Sequence, residues 1–464
     1  MKHVHFLGIC GTAMGAVASA MARKGYVVTG TDANVYPPMS TFLESEGIEI
    51  FQGFKPDNIP ADTDLVVIGN AMSRGNVEVE AVLEKNLRYM SLPETMKEFF
   101  LWGKKNYVVT GTHGKTTTSS MLAWLMKDNG LDPSFMIGGI ARNLGRGGNF
   151  TDSDYCVLEG DEYDTAFFDK RSKFLHYLPK VVIINNIEMD HADIYANVEE
   201  IKLSFKRLLR VVPKDGIVFI NADCPNCADV RAHAETELRM VKVVSVGMCE
   251  DADLRITDIA YRTDGSDFKL DGETYSVPMV GDFNIRNAAM ATCAARFAGL
   301  TPEQIRNSLS AFEGVARRQE IRGTVHSVTV VDDFAHHPTA IKQAVAALRQ
   351  RFPKSRLWVL FDPRSNTTIR NIFQKELAES LATADFAVLS PVENHKRVAP
   401  ENRLNEEQLK ADIAAAGTEC YLGTGVDDIV AHVIAHVHPG DVLLVMSNGG
   451  FGGIHGKLLS ALAQ

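Results

Sequence analysis

The sequence predicts an α/β protein of three parts, each a mostly parallel sheet under covering helices, and three observations predict it. At 464 residues the chain exceeds one ordinary core, and ~150 residues per domain suggests about three. Short β-branched runs alternate from end to end with helix-length amphipathic stretches. Glycines follow several of these runs, where a chain leaving a buried strand must turn sharply.

In the first part the runs fall at residues 4–7, 27–29 and 65–68. The second begins at 107–110 and continues through 155–158, 181–185 and 217–221. A polar, turn-rich stretch near 251–273 then reads as a small antiparallel insertion. The third part starts near Arg317, with runs at 328–331, 357–361, 386–389 and 442–446. Polar residues 101–106 bridge the first two parts, and residues 312–323 separate the last two.

Composition excludes several classes. With 45% hydrophobic and 23% charged residues the chain can bury a core and is not disordered. A formal net charge of −10 argues against a nucleic-acid partner, which calls for a basic excess or stripe. Phosphate ligands stay open, because backbone N–H groups and helix N-termini hold them without net positive charge. Seven scattered cysteines do not make a disulfide framework. Cys224 and Cys227 form a CxxC with no second pair, and Pro225 between them suggests a loop. No signal peptide and no apolar run of the ~20 residues a membrane helix needs are visible, so a cytoplasmic protein without membrane insertion is expected.

The sharpest motif is Gly111-Thr112-His113-Gly114-Lys115-Thr116-Thr117-Thr118. It stands between a strand and a helix whose apolar face includes Met121, Leu122, Leu125 and Met126, the context of a phosphate-binding loop. The glycines let backbone N–H groups close around phosphate oxygens, and the helix N-terminus adds partial positive charge. Lys115 is expected to reach the β- and γ-phosphates of ATP, and the Thr116 hydroxyl to ligate Mg²⁺. The spacing is the short GxxGKT, since Val109 stands where the general pattern has its first glycine. Two acidic clusters follow later strand ends: Glu159-Gly160-Asp161-Glu162 and Asn185-Asn186-Ile187-Glu188-Met189-Asp190-His191. Ligands of open α/β sheets gather at such ends, and Mg²⁺ prefers oxygen donors, which makes Glu159 a natural ligand and His191 a softer one.

Together these motifs resemble the Mur ligase family, the ATP-dependent amide ligases that build the peptide stem of bacterial peptidoglycan. The family's central loop is matched by residues 111–118, and its adenine-side motif by Gly281-Asp282-Phe283-Asn284-Ile285-Arg286-Asn287. Its C-terminal motifs are matched by Arg317-Arg318-Gln319-Glu320 and Asp332-Asp333-Phe334-Ala335-His336-His337-Pro338-Thr339. Gly8-Ile9-Cys10-Gly11-Thr12-Ala13-Met14-Gly15 is similar to the uridine-diphosphate loop of the UDP-N-acetylmuramate branch. Asp362-Pro363-Arg364-Ser365-Asn366-Thr367 and Met446-Ser447-Asn448-Gly449 resemble the branch member that takes a tripeptide.

The resemblance implies a Rossmann-like UDP-binding domain at 1–104, a P-loop ATPase-like domain with a parallel sheet at 105–314, and a Rossmann-like α/β peptide-binding, closing domain at 315–464. It implies catalytic roles for Lys115, Glu159, His191 and His336, and Mg²⁺ on Thr116, Glu159 and His191. ATP would be held by Gly111, Thr112, His113, Gly114, Lys115, Thr116, Thr117, Asn284, Asn287, Arg318 and Asp333. Substrate contacts fall to Gly8, Gly11, Thr12, Met14, Gly15, Asp32, Asn70 and Arg364. Several members carry a carbamylated lysine as an extra metal ligand, and Lys206 stands at that spacing; its plain reading is a basic residue on an exposed helix face.

The implied reaction joins the lactyl carboxylate of UDP-N-acetylmuramate to the amine of a short peptide, L-alanyl-γ-D-glutamyl-meso-diaminopimelate. The alternative within the family adds L-alanine alone. A dehydrogenase, with Asp32 reading a ribose 2′-OH, would leave the P-loop idle, and a nucleotide-sugar sensor would leave the acidic strand ends without a task.

Overall fold

The computed structural model describes residues 2–393 and 398–464. The chain divides into two compact units, one of Met1–Glu188, Val198–Leu254 and Met290–Ser308, the other of Met189–Asn197, Arg255–Ala289 and Leu309–Gln464.

Among its described residues the first unit holds two large sheets and a two-stranded antiparallel pair, Asp164–Ala166 with Asp169–Ser172. One large sheet is wholly parallel, in the order Glu49–Gln52, Val27–Asp32, His3–Leu7, Leu65–Ile68, Tyr89–Ser91. The chain reverses its winding direction at His3–Leu7, so the crevice for a ligand lies outside Leu7, Asp32 and Ile68. The other sheet puts the P-loop strand Lys105–Thr110 between Pro179–Ile184 and Tyr155–Glu159. The three strand ends singled out in the sequence are therefore neighbours, with Thr110 opposite Ile184 and Val109 opposite Glu159. Ile217–Asn221 and Lys242–Gly247 extend this sheet in parallel on one side, Ser134–Met136 on the other.

The second unit carries the expected antiparallel insertion as Ser266–Leu270 paired with Leu254–Tyr261 and Glu273–Val277. Its main sheet has the order Glu320–Val325, Val328–Asp333, Val442–Met446, Leu357–Phe361, Phe386–Leu389, Glu419–Leu422, parallel except for the first pair. Val331, Val359, Phe361, Leu444 and Met446 pack on one face, and Val330, Trp358, Leu360, Leu443 and Val445 on the other. Burial of both faces is why these strands read as unbroken apolar runs.

One local expectation is corrected. Cys224 and Cys227 do not lie in a loop: Cys224 is the N-cap of the helix Pro225–Glu237, and Cys227 is inside it. Pro225 suits a turn, but its fixed φ and missing N–H suit the first position of a helix equally well. Among the described residues no helix is long and apolar enough to cross a membrane.

Candidate active site

The P-loop is shaped by what surrounds it. Gly111 has φ of 123°, and a Cβ there would lie 2.9 Å from the backbone N and O of Asn186, so no larger residue fits. Gly114, at φ 80°, is the N-cap of the helix Lys115–Asp128. The loop is stitched to the end of the neighbouring strand: Asn186 N–H groups and carbonyls pair with it through Thr112 N–H to Asn186 O at 3.1 Å, His113 N–H to Asn186 Oδ1 at 2.7 Å, and Asn186 Nδ2 to His113 O at 3.2 Å. His113 Nε2 lies 3.4 Å from Glu188 Oε2.

Lys115 is buried and folded back over its own loop, donating to Gly111 O at 2.8 Å and to Glu162 Oε2 at 3.0 Å. Burial opposes its charge, but the carboxylates of Glu162, Asp161 and Glu159 outweigh that and hold the ammonium well above the usual lysine range. Thr116 Oγ1 donates to Glu159 Oε1 at 2.9 Å, and the Gly138 N–H donates to Glu159 Oε2 at 2.7 Å. Burial, with the charge of Asp161, raises the Glu159 carboxyl. A hydroxyl and a carboxylate held side by side in a low-dielectric setting are hard oxygen donors, and the raised carboxyl would gain from a cation; the pair fits Mg²⁺.

In the first sheet the glycine loop follows His3–Leu7. Gly8, at φ 83°, donates its N–H to Thr31 O at 2.7 Å, and Gly11 caps the helix Thr12–Arg23, which carries Met14 and Gly15. The Asp32 carboxylate accepts the N–H groups of Cys10 at 2.9 Å and Asn34 at 3.0 Å, so it shapes the loop as well as lining the crevice. Asn70 is exposed just beyond Leu65–Ile68.

The second unit assembles the remaining candidates. Asp333 is buried and accepts the N–H groups of Gln319 at 2.9 Å and Ala335 at 2.7 Å; burial raises it, against the pull of Arg318. Arg318 lies 4.9 Å over the Phe334 ring, and His336 Nδ1 is 3.0 Å from Phe334 O. Asn284 and Asn287 share a buried face of the helix Asp282–Phe297, the first donating to Val280 O at 2.8 Å. Arg364 donates to Asp362 at 3.1 Å and to Glu393 at 2.7 Å. His191 sits beside buried Asp190, whose carboxylate is held well below its usual range: burial opposes this, and the imidazoles of His191, His336 and His337 outweigh it. Lys206 is half-buried in the last turn of the helix Val198–Leu209, in the first unit.

The structure thus brings Lys115, Thr116 and Glu159 into one constellation, and builds Arg318, Asp333 and His336 into another. Three partners went unassigned in the sequence: Glu162 on Lys115, Asn186 on His113, and Asp190 beside His191. Glu162 and Asp190 were visible as members of acidic clusters, but nothing in the spacing said which way they face.

A glycine loop on a central parallel strand, with its lysine buried among carboxylates and its threonine on a half-buried glutamate, defines an α/β enzyme that uses a nucleoside triphosphate. The chain belongs to the Mur ligase family: residues 3–101 match the Mur ligase family catalytic domain, 109–295 the Mur ligase middle domain, and 317–449 the Mur ligase glutamate ligase domain. It is, like its family, an ATP-dependent ligase that forms amide bonds. A UDP-N-acetylmuramate–L-alanyl-γ-D-glutamyl-meso-2,6-diaminoheptandioate ligase of Escherichia coli (strain K12) is 42% identical, over 99% of this chain and 98% of the relative. A UDP-N-acetylmuramate–L-alanine ligase of Dictyoglomus turgidum is 32% identical, over 97% and 94%. The crystal structure of a murein peptide ligase from Psychrobacter arcticus matches with a TM-score of 0.72 and 35% identity, covering 100% of this chain and 99% of that one.

Proposed function

We propose that this ligase joins the lactyl carboxylate of UDP-N-acetylmuramate to the amino group of L-alanyl-γ-D-glutamyl-meso-diaminopimelate, with ATP and Mg²⁺, in the cytoplasm. The carrying observation is the constellation of Lys115, Thr116, Glu159 and Glu162, set in a chain that matches the tripeptide-adding relative from end to end. The higher identity to that relative than to the L-alanine-adding one favours the tripeptide.

A carboxylate is a poor acyl donor because its leaving group would be oxide; as an acyl phosphate it offers phosphate instead. The protein's share of such chemistry is positioning and charge neutralisation. Mg²⁺, when bound, shields the negative charge of the phosphates. Thr116 and Glu159 would hold it, with His191 as a third contact. Lys115 supplies a fixed positive charge, and the N–H groups of Lys115, Thr116 and Thr117, at the start of the helix Lys115–Asp128, would cradle phosphate oxygens. Asn284 and Asn287 would read the adenine, Arg318, Asp333 and His336 the ribose and phosphates. The Gly8–Gly15 loop, Asp32 and Asn70 would take the UDP-sugar, and Arg364 a peptide carboxylate, for which arginine's fork is suited. Domains at 1–104, 105–314 and 315–464 would divide these tasks.

Phosphate release tests the reading. A ligase releases phosphate from ATP only when UDP-N-acetylmuramate and an amine are both present. Release with either one alone, at the full rate, would contradict it.

A further inference from the structure

We propose that Asn366 and Thr367 are positioning residues for His191, clamping the short segment that carries it. The inference rests on the ligase reading above, which gives His191 its task. His191 has φ of 51°, in the left-handed region, and only two other histidine or aromatic residues among those described share that region. A residue with a Cβ occupies it only when its surroundings hold it there.

The holding bonds are on both sides of His191. Thr367 Oγ1 donates to Asp190 Oδ1 at 2.8 Å, and both residues are buried. Asn366 Nδ2 donates to Asp193 Oδ2 at 2.9 Å. Asp190 Oδ1 also accepts the His191 N–H at 2.7 Å, so the Thr367 hydroxyl and the His191 backbone share one carboxylate oxygen. Downstream, the N–H groups of Ile194 and Tyr195 donate to His191 O at 2.8 and 3.0 Å, which closes the turn. Upstream, His337 Nε2 lies 3.1 Å from Met189 O while its Nδ1 accepts from Thr339 N–H, which makes Nε2 the donor to that carbonyl. Asn366 and Thr367 belong to the loop that carries Arg364, so one loop bears the candidate peptide contact and fixes the histidine segment.

The test compares Thr367→Val, which keeps the shape and deletes the hydroxyl, with Thr367→Ser, which restores it. A hydrogen bond to a buried carboxylate is lost, so kcat with the tripeptide is expected to fall about 10- to 100-fold in Thr367→Val. KM for UDP-N-acetylmuramate should stay within about twofold, because its candidate contacts are elsewhere. Backbone amide exchange at Ile194 and Tyr195 should quicken about tenfold, and Thr367→Ser should bring both kcat and exchange back. Unchanged kcat and exchange in Thr367→Val overturn the proposal, as does a serine variant that restores neither. If the wild-type protein ligates no tripeptide, the functional reading fails, while the exchange measurement still decides whether the clamp holds the turn.

Discussion

Replacing Glu162 by Gln deletes one charge from the partner that Lys115 has in the folded protein and keeps its shape. The pair is close, Nζ to Oε2 at 3.0 Å, with side chains 10% and 2% exposed. At ~3 Å and an effective dielectric constant of ~20 the attraction is about 5 kcal/mol, and desolvation of the two groups cancels much of it. Gln still offers an acceptor, and Lys115 keeps its bond to Gly111 O, so the expected net loss is about 2 kcal/mol. In thermal unfolding that lowers the midpoint of the affected transition by roughly 4–8 °C. ATP with Mg²⁺ should narrow the gap, because phosphate oxygens supply the missing negative charge. The pH dependence has a definite sign. The folded-state lysine is raised, so its contribution is fully present below the unfolded value of ~10.4 and fades as pH climbs from there toward the folded value. The difference between wild type and Glu162→Gln should thus be flat from about pH 6 to 9 and shrink above ~10.4. Equal stability of the two proteins at pH 7, within ~0.5 kcal/mol, would refute the reasoning.

Gly111→Ala should cost stability and abolish nucleotide binding, because its Cβ meets the Asn186 backbone; calorimetric titration with ATP at wild-type affinity would contradict this. Thr116→Val should raise the Mg²⁺ needed for half-maximal turnover by about 10-fold or more, with Thr116→Ser restoring it; an unchanged Mg²⁺ curve would remove Thr116 from the metal site. Asp169 is lowered to about 2, chiefly by hydrogen bonds from Arg171, against burial. Its stabilisation of about 2 kcal/mol is therefore present above the unfolded value near 4 and lost as pH falls from about 4 to about 2, and Asp169→Asn should flatten that part of the acid-unfolding profile.

How far the sequence carried depends on which physical constraint each residue answers to. The strands Leu357–Phe361, Phe386–Leu389 and Val442–Met446 were legible to the residue because both their faces are buried and they contain little but apolar side chains. Edge strands Glu49–Gln52 and Glu419–Leu422 were not, since none of their residues is fully buried and they are partly polar, and only pairing with a neighbour makes them strands. Gly111 and Gly114 announced the P-loop because few other residues tolerate their backbone angles. Asn186 and Thr367 act at separations of 73 and 177 residues, on His113 and Asp190, and no local pattern predicts such a meeting. The same holds for Glu162, one of three acids within four positions, where only the folded turn decides which faces Lys115.

The most direct test of the central claim is a pair of initial rates of ATP-driven phosphate release, both with UDP-N-acetylmuramate, one with L-alanyl-γ-D-glutamyl-meso-diaminopimelate and one with L-alanine. The account predicts a much higher kcat/KM for the tripeptide. A preference for L-alanine would contradict it and make the chain a ligase of the single amino acid.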